Sequence, residues 1–104
     1  MLFRPPVLSE LVMPLTQLEK DLRLLARELM AKGQLPTQVA PSKMWGAYGT
    51  GKHCNLCGQP IRPDEVEYEL EYGVEPVTHL RFHIVCHSVW QLEVARQDYL
   101  TKNG

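Results

Sequence analysis

The chain has 104 residues, of which 44% are hydrophobic and 22% are charged, and its formal net charge is -1 at pH 7. This length allows one compact domain, and the missing basic excess argues against a protein that binds nucleic acid mainly through charge. No run of about 18 apolar residues is present, so no transmembrane helix is expected.

Residues 1–14 are predicted to form an irregular arm, because prolines interrupt their apolar patches. An amphipathic helix is predicted over residues 15–33. Thr16 and Glu19 have the spacing of a capping box, and Gly33 suits the position after the last turn. The apolar stripe of this helix, which also offers a surface for self-association, comprises Leu15, Leu18, Leu22, Leu25 and Leu29.

Residues 34–53 are predicted to be a linker. Their segment 44–51 mixes aromatic residues with glycines and shows neither a helical nor a strand period. It approaches a phosphate-binding loop in composition, yet His53 replaces the hydroxyl residue that such a loop needs to hold magnesium. We therefore interpret the segment as a flexible or packing loop.

A β-hairpin is predicted next. Over residues 65–72, glutamates alternate with apolar residues, which is typical of a strand with one buried and one exposed face. A turn over 73–76 leads to a return strand over 77–82, which places His79 and Arg81 beside the glutamates. The side chains expected to face inward are Val66, Tyr68, Leu70, Tyr72, Leu80 and Phe82.

A second helix is predicted from about residue 84 to residue 100. Its apolar side chains are expected to lie along one side, which packs against the hairpin. They are Val85, Val89, Leu92 and Tyr99, with Trp90 beside them.

Two pairs of metal-binding side chains flank the hairpin. Cys54 and Cys57 form a C-x-x-C pair, and His83 and Cys86 form an H-x-x-C pair at the start of the second helix. A structural zinc ion takes four tetrahedral nitrogen or sulfur ligands, and these two pairs supply them. Residues 54–104 are therefore predicted to be a treble-clef-like zinc module of α+β class that binds one structural zinc per chain.

His87 is an alternative fourth ligand, in place of His83 or Cys86. His53, His79 and His87 are otherwise expected to be solvated or to support the ligands from outside. The three cysteines are an odd number, unlike the even set of a secreted disulfide framework, so reduced cysteines and a cytoplasmic location are expected. No small-residue cleavage site follows the first residues, so we do not interpret them as a signal peptide.

The pattern of these residues resembles a family of small, uncharacterised bacterial zinc-finger-like proteins. The resemblance rests on Cys54-x-x-Cys57-Gly58-x-x-Ile61, Glu67-Tyr68-Glu69 and Phe82-His83-x-x-Cys86-x-x-x-Trp90-x-x-Glu93. It covers roughly residues 25–100, and the family often has an aromatic residue at the position of His87. The ligand spacing is also similar to the first zinc site of LIM domains, although a second set of four ligands is missing.

The sequence favours a non-enzymatic zinc protein that binds another protein as an adaptor or regulator. One alternative is a nucleic-acid-binding zinc-finger regulator, for which Arg23, Arg27 and Lys32 are the only basic cluster, diluted by neighbouring acids. Another is a small HNH-like nuclease, because histidines lie on the hairpin and the helix. A filled set of four protein ligands argues against catalysis at the metal, so no catalytic residue is assigned.

Overall fold

The computed structural model describes residues 7–38, 40–73 and 77–103, with side chains described from Gln17 to Lys102 within these ranges. It has α+β architecture, with two helices and a three-stranded antiparallel sheet in the order β1-β2-β3. Its elements are α1 (Val7–Ala31), β1 (Lys43–Tyr48), β2 (Val66–Tyr72), β3 (Thr78–His83) and α2 (Ile84–Asn103). Neither of these helices has the length and apolar character needed to cross a membrane.

The end of α1 confirms the predicted glycine stop. Gly33 has φ of 76°, a conformation that glycine adopts without strain. The amide of Gln34 donates to the carbonyl of Leu29 at 2.8 Å, and the amide of Gly33 donates to the carbonyl of Met30 at 3.1 Å. This is the bond pattern of a Schellman motif, which satisfies the last carbonyl groups of the helix.

The start of α1 corrects the sequence interpretation. The helix begins at Val7, so residues 7–14 of the predicted irregular arm are helical and Thr16 lies inside the helix. Pro14 removes one backbone hydrogen bond, which interrupts a helix without always ending it. Leu8 and Leu11 continue the apolar spacing of the stripe toward the N-terminus, which favours one continuous helix. Residues 1–6 of the arm lie outside the described residues.

The predicted linker contains a strand that the sequence interpretation missed. The strand β1 pairs with β2, with Met44 opposite Leu70 and Trp45 opposite Glu69. All six residues of β1 are exposed, so burial imposes no alternation of apolar and polar residues on them. Gly49 follows β1 where a Cβ atom would lie 2.1 Å from the Arg62 carbonyl oxygen. The glycine-rich segment is therefore an edge strand followed by a closely packed loop.

The hairpin agrees with its predicted alternation. Leu70 lies opposite Leu80 and Tyr68 opposite Phe82, which places the apolar residues of β2 and β3 on one face. On the other face, the guanidinium of Arg81 lies 3.2 Å from the Glu67 carboxylate and His79 lies near Glu69 and Glu71. Glu67 is buried. Its carboxylate also accepts hydrogen bonds from the backbone amide and the hydroxyl of Thr50, which offset the cost of burying it. The predicted turn over 73–76 lies mostly outside the described residues.

The inward face of α2 differs from the predicted one. Val85, Leu92 and Tyr99 are exposed, whereas Val89 and Trp90 are buried as expected. The ring of Trp90 stacks on Phe82 and its indole N–H donates to the carbonyl of Pro36 at 2.9 Å. The described side chains of α2 that are buried are Cys86, His87, Val89, Trp90, Glu93 and Val94.

The two helices pack against each other through part of the leucine stripe. Leu22 is buried in the core cluster, whereas Leu18 is 51% exposed. The side chain of Glu93 on α2 is fully buried and accepts hydrogen bonds from the Nε atoms of Arg23 and Arg27 on α1, at 2.5 and 2.7 Å. These ion pairs fasten α1 to α2 beside the core.

Candidate metal centre

The first ligand pair lies on a tight turn before the hairpin. The amide of Gly58 donates to the Cys54 carbonyl at 3.0 Å, and the amide of Leu56 points at the Cys54 sulfur at 3.4 Å. Gly58 has φ of 79°, which lets the chain reverse directly after Cys57. Leu56 is buried in the core, so the turn is held by packing as well as by hydrogen bonds.

Asn55 fixes this turn against the edge of β3. The backbone amide of Asn55 donates to the Arg81 carbonyl at 2.7 Å. The side-chain oxygen of Asn55 accepts from the backbone amide of Arg81, also at 2.7 Å. The same strand ends at His83, and Cys86 follows in the first turn of α2. The two ligand pairs are therefore brought together by backbone pairing between the turn and the strand.

Four side chains converge as the spacing predicted. One ligand atom from each of Cys54, Cys57, His83 and Cys86 lies within 4.8 Å of every other. The Nδ1 atom of His83 is 3.4 Å from the Cys57 sulfur and 3.9 Å from the Cys86 sulfur. A tetrahedral ion with metal–sulfur bonds of about 2.3 Å separates its ligand atoms by roughly 3.5–3.8 Å. The cluster has the composition and the dimensions of a metal site.

The imidazole of His83 is oriented from its far side. Its Nε2 atom is 3.3 Å from the Pro60 carbonyl oxygen and 3.5 Å from the Glu65 carboxylate. Both groups accept a hydrogen bond, so they favour the tautomer with the proton on Nε2 and a free lone pair on Nδ1. That lone pair points toward the three sulfur atoms, as a metal ligand requires.

The three thiols lie close enough to alter one another's pKa. A hydrogen bond from Cys86 lowers the pKa of Cys54 to about 4, while the same bond and burial raise the pKa of Cys86 above its usual value. Burial also raises the pKa of Cys57. The protein alone thus stabilises one thiolate readily, and a divalent cation is the group that would stabilise three together.

The remaining histidines lie outside this cluster. His87 is buried with its ring edge-on to Tyr68, at 5.0 Å between centroids, and near Phe82 and Trp90. Burial lowers its pKa. His87 therefore occupies an aromatic environment and is not solvated as expected, whereas His53 is exposed. Among the described residues, the His, Cys, Asp and Glu side chains that lie close enough together to hold a metal ion are Cys54, Cys57, His83 and Cys86.

Fold and site together define a small α+β protein with a candidate metal centre of three cysteines and one histidine. Comparisons with protein-family models, with curated proteins and with solved structures found no match. What the protein does must therefore be argued from its own residues.

Proposed function

We propose that the protein binds one structural zinc ion through Cys54, Cys57, His83 and Cys86 and acts as a non-enzymatic interaction protein. The turn, hairpin and helix around the ion then form a treble-clef-like module. The predicted resemblance to small bacterial zinc-finger-like proteins agrees with this proposal.

The convergence of the four side chains, with His83 already oriented, is the observation that carries the proposal. Three sulfur ligands and one nitrogen ligand match the donor sets of structural zinc sites. All four tetrahedral positions are supplied by the protein, so no position remains for a substrate or an activated water. This supports a structural ion.

Exposed apolar side chains support a role in binding another protein. On α2, Val85, Leu92 and Tyr99 recur every seven residues and are each at least half exposed. On β1, Trp45 and Tyr48 are exposed at the edge of the sheet. Apolar side chains grouped on a surface are typical of sites where proteins meet.

The alternatives have less support. Within the cluster proposed for nucleic-acid binding, Arg23 and Arg27 share the buried Glu93 and Lys32 pairs with Glu28, so the basic excess left for a phosphate backbone is small. The three histidines considered for a nuclease are separated, because His79 lies beside the sheet glutamates, His83 in the cysteine cluster and His87 in the aromatic core.

Zinc content tests the proposal directly. Protein purified without added metal should contain about one zinc per chain, because one set of four ligands is present. The Cys86→Ser variant should lose the ion and much of its soluble yield, whereas His53→Ala, which alters an exposed histidine beside the site, should keep both. An iron–sulfur spectrum, or a native-like Cys86→Ser protein without metal, would overturn the assignment.

A further inference from the structure

A row of basic side chains runs along α1 and continues onto α2. Lys20, Arg23 and Arg27 recur at intervals of three and four on α1, and Arg96 on α2 lines the same cleft as Arg27. We call these four residues the basic row. Asp21 and Glu28, which follow Lys20 and Arg27 in sequence, lie about 100° farther round the helix, so they do not interrupt the row. Glu19 lies four residues before Arg23 and borders the row at its N-terminal end.

The buried carboxylate of Glu93 neutralises only part of this row. Arg23 and Arg27 each donate to it through Nε, and among the described residues their Nη groups have no hydrogen-bond acceptor. Arg96 approaches the same carboxylate only to 3.9 Å. Three guanidinium groups therefore approach one carboxylate, and Lys20 adds a fourth cation farther along the row. The guanidinium donors that do not bind Glu93 are available to a ligand.

The row lines two adjoining clefts. One, of about 330 Å³, lies between the helices. Its polar lining residues are Arg27, Glu93, Arg96, Gln97 and Thr101, and its apolar ones are Met30, Ala31 and Leu100. The other, of about 340 Å³, is lined by Lys20, Arg23, Leu24 and Arg27. Guanidinium and amide donors thus converge with apolar surface, a combination suited to an anionic group carried on a larger molecule.

We propose that the basic row binds an acidic segment of a protein partner, whose carboxylate or phosphoryl oxygens enter the cleft between α1 and α2. This inference rests on the proposed interaction role and names the chemistry of the partner. Arginine forks match the planar oxygens of such groups. Duplex nucleic acid is a poorer match, because four cations are few beside the roughly 6–10 phosphate contacts of typical DNA-binding proteins.

Fluorescence anisotropy with the zinc-loaded full chain tests this inference. The probes are a labelled glutamate-rich peptide, the same peptide with a central phosphoserine, and a control with glutamine at every acidic position. Both acidic peptides should bind at least about tenfold more tightly than the neutral one, since charge-assisted hydrogen bonds provide the difference. A preference between the two acidic peptides identifies phosphoryl or carboxylate oxygens as the better ligand.

Matched variants locate the binding. Arg96→Gln and Lys20→Gln should each weaken acidic-peptide binding about tenfold without altering zinc content or melting temperature. Lys32→Gln removes the same charge but alters a lysine paired with Glu28 outside the row, so it should leave binding unchanged.

Three results would overturn the inference while leaving the zinc proposal intact. They are no binding of acidic peptides by zinc-loaded protein, equal binding by the Arg96 and Lys32 variants, and tighter binding of an oligonucleotide through the same arginines. The last result would assign the row to nucleic acid instead. Loss of zinc from the wild-type protein would count against the proposed metal site alone.

Discussion

His83 and His87 show how two nearby histidines acquire different roles from their surroundings. His83 directs Nδ1 at three sulfur atoms and has hydrogen-bond acceptors at Nε2. His87 is surrounded by aromatic rings and is buried. His83 is therefore placed to bind the proposed ion, and His87 packs in the core.

We expect His83→Ala to lose the zinc ion and unfold the module, because the remaining ligands leave the site incomplete. His87→Ala should keep about one zinc but lower the free energy of unfolding by about 2 kcal/mol, since it leaves a cavity among aromatic side chains. Zinc analysis and thermal melting of each variant measure the two effects. Zinc loss from the His87 variant alone would identify His87 as the ligand instead.

Glu93 is a buried carboxylate whose pKa links the stability of the protein to pH. Burial by itself would raise the pKa of this carboxyl group, but the hydrogen bonds from Arg27 and Arg23 outweigh it and hold the pKa below its usual value. A carboxylate with a lowered folded-state pKa adds stability above its unfolded pKa, near 4.5, and loses it as the pH falls through the folded value.

Glu93→Gln should therefore lower the free energy of unfolding by about 1–3 kcal/mol at pH 7, with the partly exposed arginines limiting the effect. The difference from wild type should shrink as the pH falls below about 4.5. Urea melts of both proteins across this pH range measure it, because protonation of the cysteines affects both alike. A difference that stays constant with pH would show that the ion pairs contribute nothing.

At the scale of elements, the turns hold the sheet and helices in register. Asn55 ties the metal-site turn to β3, and the loop after β1 packs on residues 61–62. Gly49 and Gly33 are required in these connections for different reasons. A Cβ atom on Gly49 would overlap the Arg62 carbonyl, whereas one on Gly33 has open space around it.

Gly49→Ala should consequently destabilise the protein by about 3 kcal/mol, because backbone must move to make room. Gly33→Ala is the matched control and should cost about 1 kcal/mol, from its positive φ alone. Chemical denaturation of the two variants compares them. Equal losses would mean that the approach of Gly49 to Arg62 is not maintained in solution.

At the scale of the whole molecule, opposite charges lie on different surfaces, and the core includes part of the Cys54, Cys57, His83 and Cys86 cluster. Glutamates lie along the outer sheet face, partly paired with Arg81 and His79, while the basic row lies on the helices. The core includes Cys54, Leu56, Cys86 and Trp90, so metal ligands and aromatic packing belong to one cluster. Loss of the proposed ion should therefore disrupt packing throughout the core.

Stripping the metal with a strong chelator should expose Trp90, which is fully buried. We expect its emission to shift to the red together with loss of helical circular dichroism. The measurement uses a Trp45→Phe background, because Trp45 is already 41% exposed and would mask the change. Unchanged emission from metal-free protein would show that the ion is not structural.

Features that depend on local spacing could be predicted from the order of the residues alone. The pairs around Cys54 and His83 predicted the cluster, because ligands three residues apart in a turn or a helix point to one side. Alternation predicted the β2–β3 hairpin, and Gly33 predicted the end of α1, since both signals lie within a few residues.

Which surfaces are covered depends on how the whole chain folds. The strand β1 has no sequence period because it lies exposed at the sheet edge. In α2, Val85, Leu92 and Tyr99 form a regular apolar stripe, yet they are exposed, and Cys86, Trp90 and Glu93 are buried instead. Burial depends on contacts between residues far apart in the chain, and local periodicity does not contain that information.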